Sequence, residues 1–445
     1  MTSPSFPPGG NALEVDAVVV GGGVQGLWLL ADLTDMGYSA VLLERARPGF
    51  GQTGHSHVFI HEGHIYAYNK EPEEVVVRRI ESVQKAHRLW KDALQPGGRL
   101  ASLAPISSDF YVGLRDKNKA TSFEKVCRRT NINYAPVPAN TAPGFGVMDG
   151  LERLLKSEGF CLDSKALLAG LMGHGGLAQR AGRCTEIRVD SYDAGRFGLS
   201  VKCDSGIPLD VRARSLVLSA GAGNEKLLSQ LFDRIGAPPD ANAAKQQTVK
   251  TFMLVLRHED GSMQPTHGMF PDSGGIFLVS RKDPSGRTVW LIGDRQRKLV
   301  SHPGEMTAFD AATWFQTFRM ELDKLFPSVL SNRAAYEWGI YEATKAEPHT
   351  VGESEKYREG GAFPGQYHVH KHPAAPLWLT WPSLLTFAPA VAEHIAADVA
   401  SNISPQAPAD WKPWSNFCMS PLTPGECRWK TTDLLKWDDF IRCYS

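Results

Sequence analysis

The sequence predicts an α/β fold with a discontinuous Rossmann-like dinucleotide-binding domain and a second, antiparallel β-rich domain. Residues 15–20 form an apolar, β-branched run that enters a glycine turn and then an apolar helical stretch. Residues 215–219 repeat the strand-to-glycine pattern, and residues 377–381 and 388–400 give a late strand and helix. Between these segments, residues 248–294 contain several strands without intervening helices, which is typical of an antiparallel sheet.

The turn after the first strand has the G-x-G-x-x-G spacing of a dinucleotide site, in Gly21, Gly23 and Gly26. Gly21 allows the tight turn, Gly23 lets a pyrophosphate approach the backbone, and Gly26 lets helix and strand pack closely. The helix that follows offers free N–H groups near Val24 and Gln25 to the phosphates. The spacing therefore predicts a pyrophosphate at this helix N-terminus.

An acidic residue stands where a dinucleotide site needs one. Glu44 ends the second apolar run, 23 residues after Gly21, and an acid at this place accepts hydrogen bonds from a ribose diol. Arg45 and Cys184 are further candidate contacts of the cofactor.

Composition excludes several classes of function. The 445 residues suffice for two domains, and 48 Lys plus Arg balance 48 Asp plus Glu. We therefore expect no binding to nucleic acid or to a membrane, and the apolar runs are too short to span a bilayer. The first 14 residues lack the features of a signal peptide. Seven cysteines without a C-x-x-C pair favour a cytoplasmic protein.

The pattern of segments divides the chain into three parts. We predict a dinucleotide-binding domain from residues 1–80, 150–240 and 345–410. A substrate domain is predicted from residues 81–149 and 241–344. Residues 411–445 hold four of the 11 tryptophans, so this C-terminal tail is expected to pack on the body or on another subunit. The sequence does not indicate an oligomeric state.

One loop resembles a known family. Residues 52–66, QTGHSHVFIHEGHIY, look like the Q-T-G-H-N-S-G-V-I-H-x-G-x-Y-Y stretch of the L-2-hydroxyglutarate dehydrogenase branch. That branch belongs to the D-amino-acid oxidase superfamily of FAD-dependent oxidoreductases, and the resemblance spans residues 14–400. It implies FAD as cofactor, with the loop passing under the pyrophosphate and reaching the flavin. The implied contacts are Gln52, Thr53, Gly54, His55 and Ser56.

Two further segments support the resemblance. RARSLVLSAGAGN, residues 212–224, resembles the second FAD-contacting strand and implies contacts from Ala220 and Gly221. Residues 377–399 resemble the last strand, the flavin-facing turn and the final helix. In the family, N–H groups of that turn stabilise negative charge on the reduced flavin. The turn residues implied here are Ser383, Leu384, Leu385 and Thr386. The turn lacks the family's usual glycines, and residues 339–342 lack its usual carboxylate-binding arginine.

Four histidines, His55, His57, His61 and His64, lie within ten residues of the loop. His55 falls where some relatives carry a histidine bonded covalently to the flavin, so the resemblance makes it the candidate for attachment. Alternatively, His61 or His64 faces the substrate as a base, because imidazole titrates near neutral pH. The spacing also permits a metal, but no carboxylate or cysteine completes a known pattern, so no metal is predicted.

Cations in the predicted substrate domain can bind a substrate carboxylate. Arg281 lies in a predicted strand and Lys345 follows another, and both are candidate catalytic residues. Arg295 and Arg297 are weaker candidates. Gly293 and Asp294 after a strand resemble part of a flavin monooxygenase motif, although the residues that normally follow them are absent.

The sequence thus predicts an FAD-dependent oxidoreductase that acts on a small molecule. We expect it to remove a hydride from a carbon bearing nitrogen in an amine or amino-acid-like substrate. A 2-hydroxy acid is the alternative that the Q-T-G-H loop favours, and a flavin monooxygenase is a further alternative.

Overall fold

The computed structural model describes residues 12–68, 72–145, 148–203, 206, 208–236, 246–294, 298–300, 310–348, 368–381, 384–406, 410–418 and 422–444. Its strands are β1 (Ala12–Val20), β2 (Ala40–Glu44), β3 (Phe59–His61), β4 (Ser107–Leu114), β5 (Tyr134–Pro136), β6 (Arg153–Cys161), β7 (Ala181–Arg183), β8 (Glu186–Asp193), β9 (Arg196–Lys202), β10 (Pro208–Leu218), β11 (Gln246–His258), β12 (Gly268–Phe270), β13 (Ile276–Lys282), β14 (Thr288–Gly293), β15 (Lys298–Val300), β16 (Tyr336–Pro348), β17 (Val369–Lys371), β18 (Leu377–Thr380) and β19 (Leu435–Lys436). Its helices are α1 (Val24–Asp35), α2 (Gln52–His55), α3 (Glu73–Leu94), α4 (Lys117–Arg129), α5 (Ser164–Gly173), α6 (Asn224–Ile235), α7 (Ala311–Leu325), α8 (Pro327–Ser331), α9 (Ala388–Asn402), α10 (Lys412–Phe417) and α11 (Trp437–Tyr444).

The first sheet is mainly parallel and has the order β17-β18-β10-β1-β2-β7. Strand β1 lies between β10 and β2 and runs parallel to both. Its side chains are buried on both faces because Val19 packs with α1 and α9, whereas Val18 packs with the antiparallel β8–β9 hairpin and α6. A strand covered on both faces needs the continuous apolar run seen in the sequence.

The second sheet is mostly antiparallel and has the order β19-β16-β11-β14-β13-β12-β4-β6-β3. One face packs on α7, α8 and α11 through aromatic residues such as Trp314 and Trp338. The other face carries Met253, Val279 and Tyr341. The predicted fold class is confirmed, while the domain boundaries stay a prediction.

Residues 99–148 contain Pro and Gly breaks that are typical of short strands and loops, but they also include a helix. Helix α4 lies there, and the carboxylate of its N-cap residue, Asp116, accepts hydrogen bonds from the Asn118 and Lys119 N–H groups. This helix is mostly polar and buries only Ala120, Phe123 and Cys127, so its apolar stripe is too narrow to stand out in the sequence.

The C-terminal residues pack on the body of this chain, as one of the two sequence alternatives expected. Trp414 lies against Gly182 of β7, and Trp437 packs against Trp338 of β16 with ring centroids 4.9 Å apart. In the part of the chain that the structure describes, no helix is both long and apolar enough to cross a membrane. The cytoplasmic location stays a prediction.

Candidate functional site

The glycine turn after β1 contains three glycines of the motif. Protein packing requires a glycine at two of these positions and leaves room for a side chain at the third. Gly21 has a φ of +115°, and a Cβ there would lie 2.3 Å from the Ser219 carbonyl oxygen. A Cβ on Gly26 would lie 1.9 Å from the Gly21 oxygen. On Gly23 the nearest atom would be Thr53 Oγ1, at 3.4 Å. Gly23 therefore leaves the surface at the start of α1 open, as a pyrophosphate needs.

The start of α1 presents N–H groups on this open surface. Gln25 and Gly26 are in the first helical turn, where N–H groups have no acceptor within the helix. The Val24 N–H group donates to Thr53 Oγ1 at 3.2 Å. Thr53, predicted as a cofactor contact, therefore joins the loop to the helix start.

Glu44 lies at the end of β2, beside the glycine turn. Its carboxylate accepts hydrogen bonds from the N–H groups of Gly22 at 2.6 Å and Ala46 at 2.7 Å. These bonds fix the carboxylate at the strand end, and each oxygen retains a further lone pair for a ribose hydroxyl. Arg45 is exposed. The Cys184 side chain is fully buried, and the Cys184 N–H group donates to the Glu44 carbonyl oxygen.

A buried asparagine joins the ends of β10 and β18, and sequence reasoning missed it. Asn224 accepts the Ala220 N–H group at 2.8 Å and donates to the Thr380 carbonyl oxygen at 3.0 Å. Ala220 lies beside the glycine turn, since its Cα would be 2.8 Å from a Cβ on Gly21, and Gly221 follows it in the chain. The signal in the sequence was only an Asn after a glycine turn, because its second partner is 156 residues away.

The turn after β18 leads into α9. Leu384 precedes a short 3₁₀ turn at Leu385–Phe387, and the Thr386 carbonyl oxygen accepts the Trp90 indole N–H group at 2.9 Å. Thr386 is fully buried, and among the described residues its hydroxyl has no hydrogen-bond partner. Ser383 lies outside the described residues.

The loop that precedes β3 contains α2 and the predicted cofactor contacts at 52–56. The Gly54 N–H group donates to the Gly49 carbonyl oxygen at 2.9 Å, and Ser56 Oγ accepts the Val58 N–H group at 2.9 Å. Gln52 Oε1 and His55 Nδ1 are buried and have no partner within the described part of the chain. Unpaired polar atoms are costly in a protein interior, so these atoms fit contacts to a bound cofactor.

Side chains of the second sheet hold this loop by donating hydrogen bonds to the main-chain carbonyl oxygens of the loop. Arg281 is buried and donates to the carbonyl oxygens of His57 and Leu162, and the Tyr341 hydroxyl donates to the His55 carbonyl oxygen at 3.4 Å. Arg281, predicted as a substrate clamp, therefore acts on the loop backbone. Its role towards a substrate stays a prediction.

His57 lies between the loop and the second sheet, and sequence reasoning did not assign it a role. Its ring stacks near Phe277 with centroids 6.5 Å apart, and its Cε1 lies 3.3 Å from a Cβ placed on Gly293. The next residue, Val58, has a φ of +47°, which is rare for a β-branched residue. Such strain often accompanies a functional position.

Burial, with the nearby cations of Arg281 and Lys345, lowers the pKa of His57 to about 3. The imidazole is therefore neutral at neutral pH. Its Nε2 is buried without a hydrogen-bond partner among the described residues. A neutral imidazole with an unpaired nitrogen can accept a hydrogen bond from a bound molecule.

His61 and His64 lie in a second, enclosed cluster with Glu62 and His87. The His61 Nδ1 accepts the Gly63 N–H group at 2.9 Å, and the His64 ring stacks on Phe110 with centroids 4.8 Å apart. Burial raises the pKa of Glu62 to about 7 and lowers the pKa of His87 to about 4. The catalytic roles of His61 and His64 stay predictions, but the structure does not bring them beside Arg281 or Lys345 in any described contact.

His64→Phe is expected to flatten the pH dependence of stability. His64 is fully buried and burial lowers its pKa, so it stays neutral in the folded state, whereas the unfolded chain takes up a proton below about pH 6.5. The free energy of unfolding thus falls as pH drops through this window, by up to about 1.4 kcal/mol per pH unit for one such group. Urea unfolding of both proteins at pH 8, 6 and 5 measures the difference. Equal slopes for the two proteins would contradict it.

The comparisons with known proteins identify the family. Residues 16–397 match the FAD dependent oxidoreductase family, so the chain belongs to it. The probable FAD-dependent oxidoreductase PA4991 of Pseudomonas aeruginosa is 27% identical over 412 residues, covering 87% of this chain and 91% of that protein. The crystal structure of PA4991 has a TM-score of 0.67 and 22% identity, and the match covers 95% of this chain and 99% of that chain.

Two solved structures with different reactions share the fold. Glycine oxidase from Geobacillus kaustophilus has a TM-score of 0.58 at 14% identity and covers 91% of this chain and 98% of its own. L-alpha-glycerophosphate oxidase from Mycoplasma pneumoniae has a TM-score of 0.60 at 13% identity, and the match covers 90% of this chain and 98% of that chain. At these identities the likeness concerns the fold alone.

The chain is therefore an FAD-dependent oxidoreductase, and the predicted superfamily is confirmed. The residues fit FAD because Gly23 leaves an open surface, the first turn of α1 offers N–H groups, and unpaired atoms occur at Gln52 and His55. Covalent attachment through His55 stays a prediction, which retention of yellow colour in acid-precipitated protein would support. The likeness of the loop to the L-2-hydroxyglutarate dehydrogenase branch also stays a prediction.

Proposed function

We propose that this oxidoreductase removes a hydride from a carbon bearing nitrogen in an amine or amino-acid-like small molecule. FAD, when bound, supplies the hydride acceptor at its N5 atom. The protein must then bind the substrate in its uncharged form and exclude water.

The observation that carries the proposal is the neutral, unpaired imidazole of His57. An ammonium group has no lone pair to expel a hydride from the neighbouring carbon, so the substrate must first lose a proton. His57 Nε2 has no partner among the described residues, and its lowered pKa keeps it unprotonated, so it can accept a hydrogen bond from the N–H group of an uncharged amine. The ammonium proton goes to solvent before the amine binds, and hydride transfer from the uncharged amine to FAD, when bound, would leave an iminium product, so charge and electrons balance.

The surrounding charges favour the same substrate class. Burial, together with the charges of Arg281 and Lys345, lowers the pKa of His57, and the positive potential of these two cations also favours the uncharged form of a substrate amine. The same potential attracts a carboxylate, as an amino-acid-like substrate has. Arg281 holds His57 through its carbonyl oxygen, so we assign Arg281 a positioning role.

The similarity to glycine oxidase supports an amino-acid-like substrate, since that protein shares the fold over most of this chain. A 2-hydroxy acid is the second candidate. The loop at Gln52–His55 favours it, and the likeness to L-alpha-glycerophosphate oxidase favours a donor that bears a hydroxyl group. The hydroxyl group of such a substrate would donate a hydrogen bond to the same His57 nitrogen.

Anaerobic reduction of the flavin tests the proposal. Purified protein is mixed without oxygen with separate panels of amino acids, secondary amines and 2-hydroxy acids, and bleaching of the flavin is followed. We expect bleaching by an amine or amino acid. Bleaching by 2-hydroxy acids alone would replace the proposal with the second candidate. Bleaching by NADPH alone would indicate a monooxygenase and would contradict both.

A further inference from the structure

The C-terminal residues 422–430, here called the clasp, lie outside residues 16–397 that match the family. They nevertheless dock on the loop that bears the predicted FAD contacts. The Gly425 N–H group donates to the Pro48 carbonyl oxygen at 3.0 Å. The next residue of the loop, Gly49, donates its N–H group to the Gly22 carbonyl oxygen at 3.0 Å. Two consecutive residues of the loop thus join the clasp to the dinucleotide turn.

Buried side chains anchor the clasp on the second sheet. Cys427 and Trp429 pack with Met253 and Tyr341 on the face that also holds the loop. Cys427 Sγ lies 2.8 Å from Ser164 Oγ at the start of α5. The clasp therefore bridges α5, the second sheet and the cofactor loop.

Ion pairs complete the contact at the protein surface. Glu426 pairs with Lys165 and, at 3.7 Å, with Lys430, which also lies 3.9 Å from Asp163. These side chains are partly exposed, so each pair is weak and is screened by salt. Such contacts suit a segment that opens and closes more easily than the core does.

We propose that the clasp holds the loop of residues 45–56 closed over the dinucleotide turn and thereby slows the release of FAD. Release requires the loop to move away from Gly22 and Val24. The contacts at Pro48 and Lys165 oppose that movement. The inference concerns cofactor retention, so it does not depend on which substrate the protein oxidises.

Release of FAD after dilution, followed by the rise of free flavin fluorescence, tests the proposal. Gly425→Pro removes the N–H donor to Pro48, whereas Gly425→Ala keeps it and its Cβ meets only ordinary contacts, the nearest at 3.7 Å. We expect release to be roughly three- to tenfold faster for the proline variant, the equivalent of one hydrogen bond, and unchanged for the alanine variant.

Two charge-reversal variants distinguish the effect of the clasp on FAD release from the effect of the rest of the C-terminal segment. Lys165→Glu breaks the pair with Glu426 and is expected to speed release about two- to fivefold, with loss of its salt dependence. Lys436→Glu breaks the pair with Glu259 at the other end of the segment and serves as the control. It is expected to release FAD at the wild-type rate.

Hydrogen exchange at the Gly49 and Gly54 amides gives a second readout, which is valid even if FAD is covalently attached. We expect these amides to exchange faster in Gly425→Pro and Lys165→Glu than in the wild type, with unchanged thermal stability of both variants. Wild-type release and exchange in both variants would overturn the proposal. An equal effect of Lys436→Glu would also overturn it, because the clasp would then have no special role.

Discussion

Replacement of Gly23 by valine is expected to abolish FAD binding and leave the protein folded. The backbone at Gly23 has a φ of −74°, which any residue adopts, and the nearest atom to an added Cβ is Thr53 Oγ1 at 3.4 Å. The valine side chain would instead occupy the open surface that a pyrophosphate must approach. We expect at least about a hundredfold loss of FAD affinity, or roughly 3 kcal/mol. Flavin absorbance of the purified variant and titration with FAD measure it.

Gly26→Ala is the comparison variant, because even a single added methyl group there clashes with the protein itself. Its Cβ would lie 1.9 Å from the Gly21 carbonyl oxygen, so helix and strand must separate. We expect the free energy of unfolding to fall by about 3 kcal/mol, as urea unfolding would show. A Gly23→Val protein that is yellow and as stable as the wild type would mean that the pyrophosphate lies elsewhere.

Replacement of His57 by glutamine is expected to slow reduction of the flavin by substrate about tenfold, the equivalent of one hydrogen bond to the substrate. The amide preserves a polar side chain of similar reach but presents a rotatable NH₂ group near the Nε2 position instead of a fixed acceptor. FAD binding should persist, because Arg281 and Tyr341 hold the loop through carbonyl oxygens that glutamine leaves in place. Anaerobic stopped-flow mixing with the substrate found in the screen measures the rate constant.

His64→Phe is the comparison that separates the two histidine clusters. His64 is enclosed beside Phe110, so its replacement should leave the reduction rate within about threefold of the wild type, a difference of under about 1 kcal/mol. The pH profile gives a further check. The pKa of His57 is lowered to about 3, so the imidazole stays neutral and contributes no acid limb near pH 6.5. Loss of reduction in His64→Phe, with a normal His57→Gln protein, would reverse the assignment.

The sequence predicted the dinucleotide turn because its requirements are local. Gly21 has a positive φ and Gly26 packs against the Gly21 carbonyl oxygen, both within one strand–helix unit, and Glu44 ends the adjacent strand. The Asn224 bridge could not be predicted in the same way, since one of its partners, Thr380, is distant in the chain. The spacing of residues that are close in the chain predicts the conformation of a turn. Hydrogen bonds between two turns depend instead on which strands are neighbours in the sheet.

The histidines show the same limit. Their spacing in the loop indicated a site but gave no means of ranking His57 against His61 or His64. The distinction comes from α2, which ends at His55, and from the positive φ at Val58, which together direct the chain after His57 into β3. The bond from Arg281 to the His57 carbonyl oxygen joins residues 224 positions apart, and no local pattern contains it.

The way in which the second sheet holds the histidine loop also bears on how such proteins diversify. Arg281 and Tyr341 bond to carbonyl oxygens at positions 57 and 55, and every amino acid supplies a carbonyl oxygen. A mutation that changes either histidine side chain therefore leaves these supports in place. The path of the loop can stay fixed while its side chains vary, which is a route by which relatives with one scaffold could acquire different substrates.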